Sequence, residues 1–260
     1  MNDIIKLLKN ISFYLFLIGL WELVYFLGVD ILKIWKPYIF ASPIDVIQTL
    51  VYLWQDQTLL VAISASLQRI VLGYGISVVV GTIIGIIIVQ SPYLERNFSS
   101  LILGMQTLPS ICWLPFAILW FGLSESAILF VTAIGSVFAV SIAIQTGIKN
   151  INPLYIRAAR TMGADSVKLY RYVIFPASLP AVIGGMKQGW SFAWRALMAG
   201  EMLAATKGLG YVLMIGRDLA DISQVMAVMV VIIVLGLLVE KLVFGKIEIK
   251  LRKKWGLDRV

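Results

Sequence analysis

Four stretches of this chain run without a charged side chain: residues 70–94, 97–124, 126–148 and 222–239. A helix needs about 20 apolar residues to cross the hydrocarbon core of a bilayer, and each run is near or above that length. Two more stretches come close. Residues 10–29 carry only Glu22, and residues 176–205 only Lys187, Arg195 and Glu201. In lipid every backbone polar group must be satisfied within the protein, so segments of this kind fold as helices. The expectation is an all-α integral membrane bundle of about six transmembrane helices, at roughly 11–29, 70–90, 98–121, 125–147, 177–204 and 223–244. Only 14% of the residues are charged, against roughly 25% in soluble domains, and so apolar a chain is not disordered. No Pro-, Ser- or charge-rich linker divides it, so residues 1–260 read as one transmembrane domain. Lys6 and Lys9 precede the first apolar stretch as they would in a signal peptide. That stretch is long for a signal peptide and no small-x-small site follows it, so a retained span is expected.

The net charge of +8 is organised by topology. With the N-terminus in the cytoplasm, Lys33, Lys36, Arg69, Lys207 and Arg217 fall in outside connections, and Lys187 and Arg195 lie within the fifth span. The other fifteen of the 22 Lys and Arg fall inside. This asymmetry predicts that both termini are cytoplasmic and that the basic tail lies against anionic lipid. It leaves no need for nucleic acid as a partner.

Histidine is absent and Cys112 is the only cysteine. The commonest general base and the commonest metal ligand are therefore missing, and no internal disulfide can form. No catalytic, metal-binding or cofactor-binding residue is expected, and an intramembrane enzyme lacks its materials. The chain has no G-x-x-x-x-G-K-[ST] loop. Gly208, Gly210 and Gly216 do not form a dinucleotide fingerprint.

Two connections are longer than hairpins require. In 30–69, Ser42-Pro43 is a helix-start signal, with Val46, Leu50, Leu53 and Trp54 at helical spacing behind it. They would serve either as a helix covering the bundle or as one lying on the membrane surface. In 148–176, Asn152-Pro153 reads as N-cap and first helical residue. A short helix follows to Met162 and Gly163 ends it. A second helix starts near Asp165-Ser166 and runs to Phe175, and Pro176 and Pro180 open the fifth span. Arg157 and Arg160 share one face, and the small Ala158 and Ala159 allow another surface to approach closely. A connector lying on lipid headgroups fits the same pattern.

The stretch Ala158-Ala159-x-x-x-Gly163, nine residues, then Val173-Ile174-Phe175-Pro176 resembles the EAA loop of binding-protein-dependent ABC permeases. The wider string AARTMGADSVKLYRYVIFPASLPAVIGGMKQG is similar to the sulfonate, taurine and nitrate branch of that family. So are Ser66-Leu67-Gln68-Arg69, Leu108-Pro109, Leu114-Pro115, Trp120-Phe121-Gly122, Ala193-Trp194, Glu201-Met202-Leu203 and Gly208-Leu209-Gly210-Tyr211. One position departs: Arg157 stands where the family has glutamate. The resemblance implies a type I ABC importer permease fold, working with a second copy of itself, cytoplasmic ABC ATPase subunits and an external substrate-binding protein. ATP and magnesium would bind on the ATPase. The 153–163 segment would be the coupling helix, with Arg157, Ala158, Ala159, Arg160, Gly163 and Pro176 as the coupling residues. The implied solute is a small anion of the sulfonate, taurine, nitrate or bicarbonate class. A vitamin or pyrimidine precursor is the alternative within the family, and an ATPase-independent channel the alternative outside it.

Ionisable groups inside a membrane are costly and mark a cavity or a partner. Gln106, Lys187, Trp194, Arg195 and Glu201 are therefore the candidate translocation path. The competing reading pairs Arg195 with Glu22 or Glu201 and lets Lys187 snorkel. Pro109 and Pro115 would kink the third span, as a gate or simply as packing. Gly81 and Gly85 suit close helix contact, at the seam with a second copy or within the chain.

Overall fold

The computed structural model describes residues 2–36 and 38–255, and every regular element among them is a helix. Of the charges counted above, Arg259 lies outside the described residues, as do the side chains of Lys6, Lys9, Arg252 and Lys254. In chain order the helices are α1 (Asn2–Tyr25, extended by a π turn Phe26–Ile31), α2 (Pro43–Gln55), α3 (Thr58–Val89) and α4 (Pro92–Thr107). After a 3-10 turn at Ser110–Trp113 come α5 (Leu114–Phe121), α6 (Glu125–Lys149), α7 (Pro153–Thr161) and α8 (Ser166–Leu169). A π turn at Tyr170–Ile174 leads into α9 (Phe175–Ala204), followed by α10 (Leu209–Asp218) and α11 (Ile222–Val239). A last π turn at Glu240–Gly245 leads into α12 (Lys246–Lys254).

Among the described residues four helical stretches are long and apolar enough to cross a membrane: Ile11–Ile31, Thr58–Val89, Glu125–Lys149 and Ile222–Leu251. α4 and α5 make a fifth if taken together. α9, at 30 residues, is about 45 Å long and supplies the sixth long helix, less apolar than the others because it carries Lys187, Arg195 and Glu201 along with Pro, Gly and Gln residues.

The expected third span, 98–121, is not one kinked helix. α4 and α5 are bent by 97° at the intervening break. The reason is local. Pro109 disfavours helical geometry at Leu108, which is extended (φ −69°, ψ 125°), as is Pro109 itself (ψ 134°). Pro115 sits in the first turn of α5, where its missing N–H costs nothing. Gly122, at φ +68°, ends α5, and the Ser124 hydroxyl caps α6 by accepting from the Ala127 amide.

The helices pack as two compact units, Met1–Ser64 with Lys207–Ile233, and Ala65–Thr206 with Val234–Val260. In the first, α2 starts on a reciprocal cap. The Ser42 hydroxyl accepts from the Asp45 amide, and the Asp45 carboxylate accepts from the Ser42 amide. The Val46 side of α2 is buried with Ala41 and Ala227, and Trp21 and Leu50 pack on them. Trp54 is exposed, so α2 covers its own unit with one face only. The Trp21 indole donates to the Ala41 carbonyl at 3.0 Å. From Ile11 to the end of α1 most apolar side chains, Phe13 and Phe16 among them, are exposed on this chain.

In the second unit α6 is central and buried on most sides, as its uniformly apolar surface requires. A methyl group at Gly81 would lie 2.8 Å from the Val137 carbonyl oxygen, and one at Gly85 would lie 2.7 Å from that of Ser141. These glycines therefore seat α3 on α6 within the chain, and not at a seam with a second copy. Gly185 brings α9 equally close to Ala143. Hydroxyls hold the same interface: Ser77 donates to the Ala133 carbonyl at 2.8 Å, and Ser141 to that of Gly81 at 3.0 Å. Small residues and hydroxyls are how helices attract each other in lipid, where apolar burial alone supplies no drive.

Candidate coupling loop and translocation path

The loop between α6 and α9 is ordered by its own caps. The Asn152 side chain accepts from the Leu154 amide at 2.9 Å, and Pro153 follows in the first turn of α7. At the other end Gly163 is left-handed (φ +80°). The amides of Met162, Gly163 and Ala164 donate to the carbonyls of Ala158, Arg160 and Ala159. Asp165 then caps α8 through the Lys168 amide at 2.8 Å. Beneath α7 lies a small core of Ile151, Leu169 and Ile174, with Ile156 and Ala159 packed on it.

This geometry separates the two alanines. Ala159 faces the core, while Ala158 is exposed beside Arg157, Leu154 and Tyr155. Arg160 is exposed as well. Among the described residues neither arginine pairs with a carboxylate. The expected stop at Phe175 is absent. α8, the π turn and α9 form one unbroken helical run from Ser166 to Ala204, with Pro176 in the first turn of α9 and Pro180 inside it. The wide turn just upstream accommodates prolines that cannot donate to the preceding turn. The second half of this loop, from Ser166, is therefore continuous with the helix that carries Lys187, Trp194, Arg195 and Glu201.

Those four residues do not share one site. Glu201 is fully buried: Arg69 Nη1 donates to it at 2.8 Å, and the Ser66 hydroxyl does so at 2.8 Å. Arg69, itself only 4% exposed, also donates through Nε to Glu125 at 2.6 Å. This cluster ties α3, the start of α6 and the end of α9 together. Arg69 is thus a helix residue in a buried ion pair and not an outside-loop charge, and the outside group falls to four. Trp194 is buried and stacks on Trp190 at 6.1 Å, with its indole nitrogen against Gly236 of α11. Lys187 Nζ meets Glu240 Oε1 at 2.8 Å.

Arg195 and Gln106, by contrast, come together. Both line a cleft of about 330 Å³ between the α4–α5 break and α9, with Pro109, Ser110, Gly135 and Phe192. Neither pairing considered for Arg195 forms among the described residues. Glu201 is committed to Arg69, and Glu22 Oε2 has no hydrogen-bond partner there. Arg195 instead donates through Nε to the Ser191 carbonyl at 3.2 Å and lies 4.9 Å from the Phe192 ring. Gln106 Oε1 is buried without a partner among the described residues, an arrangement that costs about 1–3 kcal/mol. The role of Arg69 was missed in the sequence. Its signal was there: Ser66 and Arg69 share a helix face at i, i+3, just ahead of an uncharged run.

Comparison with known proteins agrees with this architecture. Residues 77–252 match the family described as binding-protein-dependent transport system inner membrane component. The chain is 28% identical over 217 residues to the taurine transport system permease protein TauC of Escherichia coli K12, covering 82% of this chain and 79% of that protein. It is 29% identical over 188 residues to the nitrate import permease protein NrtB of Leptolyngbya laminosa, covering 72% and 67% respectively. The inward-facing structure of the MetNI methionine ABC transporter has the same fold at a TM-score of 0.64. That match has 20% identity over 75% of this chain and 96% of that one. With more than half of its residues matched by the family, this chain belongs to the inner-membrane components of binding-protein-dependent transport systems.

Proposed function

We infer that this permease subunit forms the path for a small anionic solute in an ATP-driven importer. An external binding protein delivers the solute. A separate ATPase, which holds the ATP and magnesium, is coupled through 153–163, and a second copy of the chain completes the path. Both termini face the cytoplasm. The observation that carries the reading is the unbroken helical run from Ser166 to Ala204. Closure of the ATPase against Arg157, Ala158 and Arg160 would displace α7. The Ile151–Leu169–Ile174 core would pass that displacement to α8, and the helix would pass it to Arg195. The similarity to taurine and nitrate permeases supports an anion as cargo, as does a membrane arginine with no carboxylate paired to it among the described residues.

The test is uptake of labelled taurine and nitrate into proteoliposomes containing the chain, its ATPase and its binding protein. Uptake of at least one should require ATP and all components. Uptake by this chain alone would make it a channel. ATP-driven uptake of a formylaminopyrimidine but of neither anion would assign it to a vitamin-precursor importer.

A further inference from the structure

The cleft at the α4–α5 break is built for one kind of ligand group. Of the side chains lining it, Arg195 is the only charged one. Its guanidinium is oriented by the Ser191 carbonyl at Nε and by the Phe192 ring beneath it. Both contacts leave the outer nitrogens without a carboxylate among the described residues. Across the cleft, the buried Gln106 oxygen has no partner there either. Gln106 lines the cleft, and rotation about the last torsion of a glutamine exchanges its oxygen and its NH₂ group, so its amide can turn a donor toward the cleft. A planar, permanently charged fork and a neutral amide donor match an oxyanion. Leu108, Ile111 and Phe192 offer apolar surface to the rest of a small molecule. The volume lies at the low end of small-molecule pockets, roughly 300–1,000 Å³. Irregular backbone at membrane depth is tolerated where it lines a cavity, and the extended Leu108-Pro109 pair does so here.

We propose that this cleft is a transit site in which Arg195 and Gln106 hold the oxyanion head of the solute, a sulfonate- or nitrate-like group. The proposal rests on the reading of the chain as an anion permease. It adds where the anion pauses and which two side chains receive it. One arginine and one amide in an open cleft make a site that releases its ligand, as a path requires.

The test uses the permease co-purified with its ATPase in dodecyl maltoside, with Cys112→Ser and Ala199→Cys, and the same complex without the new thiol as background. Rates of labelling by an anionic and a cationic methanethiosulfonate are compared, each normalised to a free thiol. With Arg195 present the anionic reagent should be favoured about tenfold, and Arg195→Gln should abolish that preference. Nitrate and methanesulfonate should slow labelling only when Arg195 is present, and Gln106→Leu should weaken their protection. An unchanged reagent ratio in Arg195→Gln, or no protection by either anion, overturns the proposal. So does protection by a short-chain phosphatidylglycerol alone, which would make the cleft a lipid headgroup site. If Ala199→Cys does not assemble, Ser110→Cys, on the α4–α5 side of the cleft, is read in the same way. Failure of the two readings is separable. A complex that imports no anion but shows Arg195-dependent protection loses the transport reading and keeps the site. One that imports anions without any Arg195-dependent labelling loses the site alone.

Discussion

Glu201 and Arg195 lie six positions apart on one helix and have opposite situations. Glu201 is fully buried with two donors pointed at it, and Arg195 is exposed to a cleft with no counter-charge among the described residues. Removing one member of a buried pair strands the other, at a cost of about 3–5 kcal/mol. Arg69→Ala and Glu201→Ala should therefore each lose most of their folded yield and melt far below the parent in detergent. The double change Arg69→Met with Glu201→Leu, which strands only the exposed Glu125, should recover much of that loss. Arg195→Gln should leave the melting temperature within a degree or two and lower anion uptake at least tenfold. Lys187 and Glu240 are each about two-fifths exposed. Lys187→Met should then change stability by only about 0–1 kcal/mol.

At the scale of elements, the opposite orientations of Ala158 and Ala159 make a sharp pair of experiments. Ala159→Trp forces a large ring into the Ile151–Leu169–Ile174 core and should destabilise by about 1–3 kcal/mol. Ala158→Trp adds the ring to an exposed face. It should leave the melting temperature near that of the parent while abolishing co-purification with the ATPase. Normal ATPase association by Ala158→Trp would remove α7 from the coupling interface. Gly163→Ala puts a side chain at φ +80° and should cost about 1–2 kcal/mol, because a Cβ in the left-handed region crowds the backbone carbonyl. Gly81→Val drives a branched side chain into the Val137 carbonyl 2.8 Å from its Cβ. It should separate α3 from α6 and lower folded yield.

At the scale of the whole molecule, orientation is set by Lys and Arg outside the spans. Moving Arg69 into a buried cluster strengthens the asymmetry, since only Lys33, Lys36, Lys207 and Arg217 then remain in the outside group. In a Cys112→Ser background, cysteines at 56 and 207 should react with a membrane-impermeant thiol reagent on intact cells. Those at 165 and 253 should react only after permeabilisation. Labelling of 165 on intact cells would overturn the orientation and with it the coupling role of α7.

Much of this protein is written in local pattern. Uncharged runs of helix length, the Asn152-Pro153 and Asp165-Ser166 starts and the glycine that ends α7 depend on residues within a few positions of one another. Apart from the 97–124 run, which breaks between α4 and α5, each therefore appeared where its sequence signal stands. Lipid sharpens this legibility, because it permits only helices and closed barrels where backbone is exposed to it. Where the reading failed, either the local pattern allowed two geometries or the deciding partner was distant in the chain. Two prolines permit a kink or a break, and the extended Leu108-Pro109 pair opened into a 97° bend between helices. An arginine at the start of an apolar run looks like a loop charge until Glu201, 132 positions away, is folded against it. Pattern alone likewise could not tell that Gly81 and Gly85 serve α6 of their own chain. Nor could it tell that, of five polar candidates, only Gln106 and Arg195 share a cleft. The chain's membrane class, helix content and loop chemistry were thus determined by the sequence itself, through short-range rules of solvation and capping. Which charges are neutralised and which face open space was decided only by the tertiary structure. An ion pair or a cavity depends on distances between helices, and no single helix contains them.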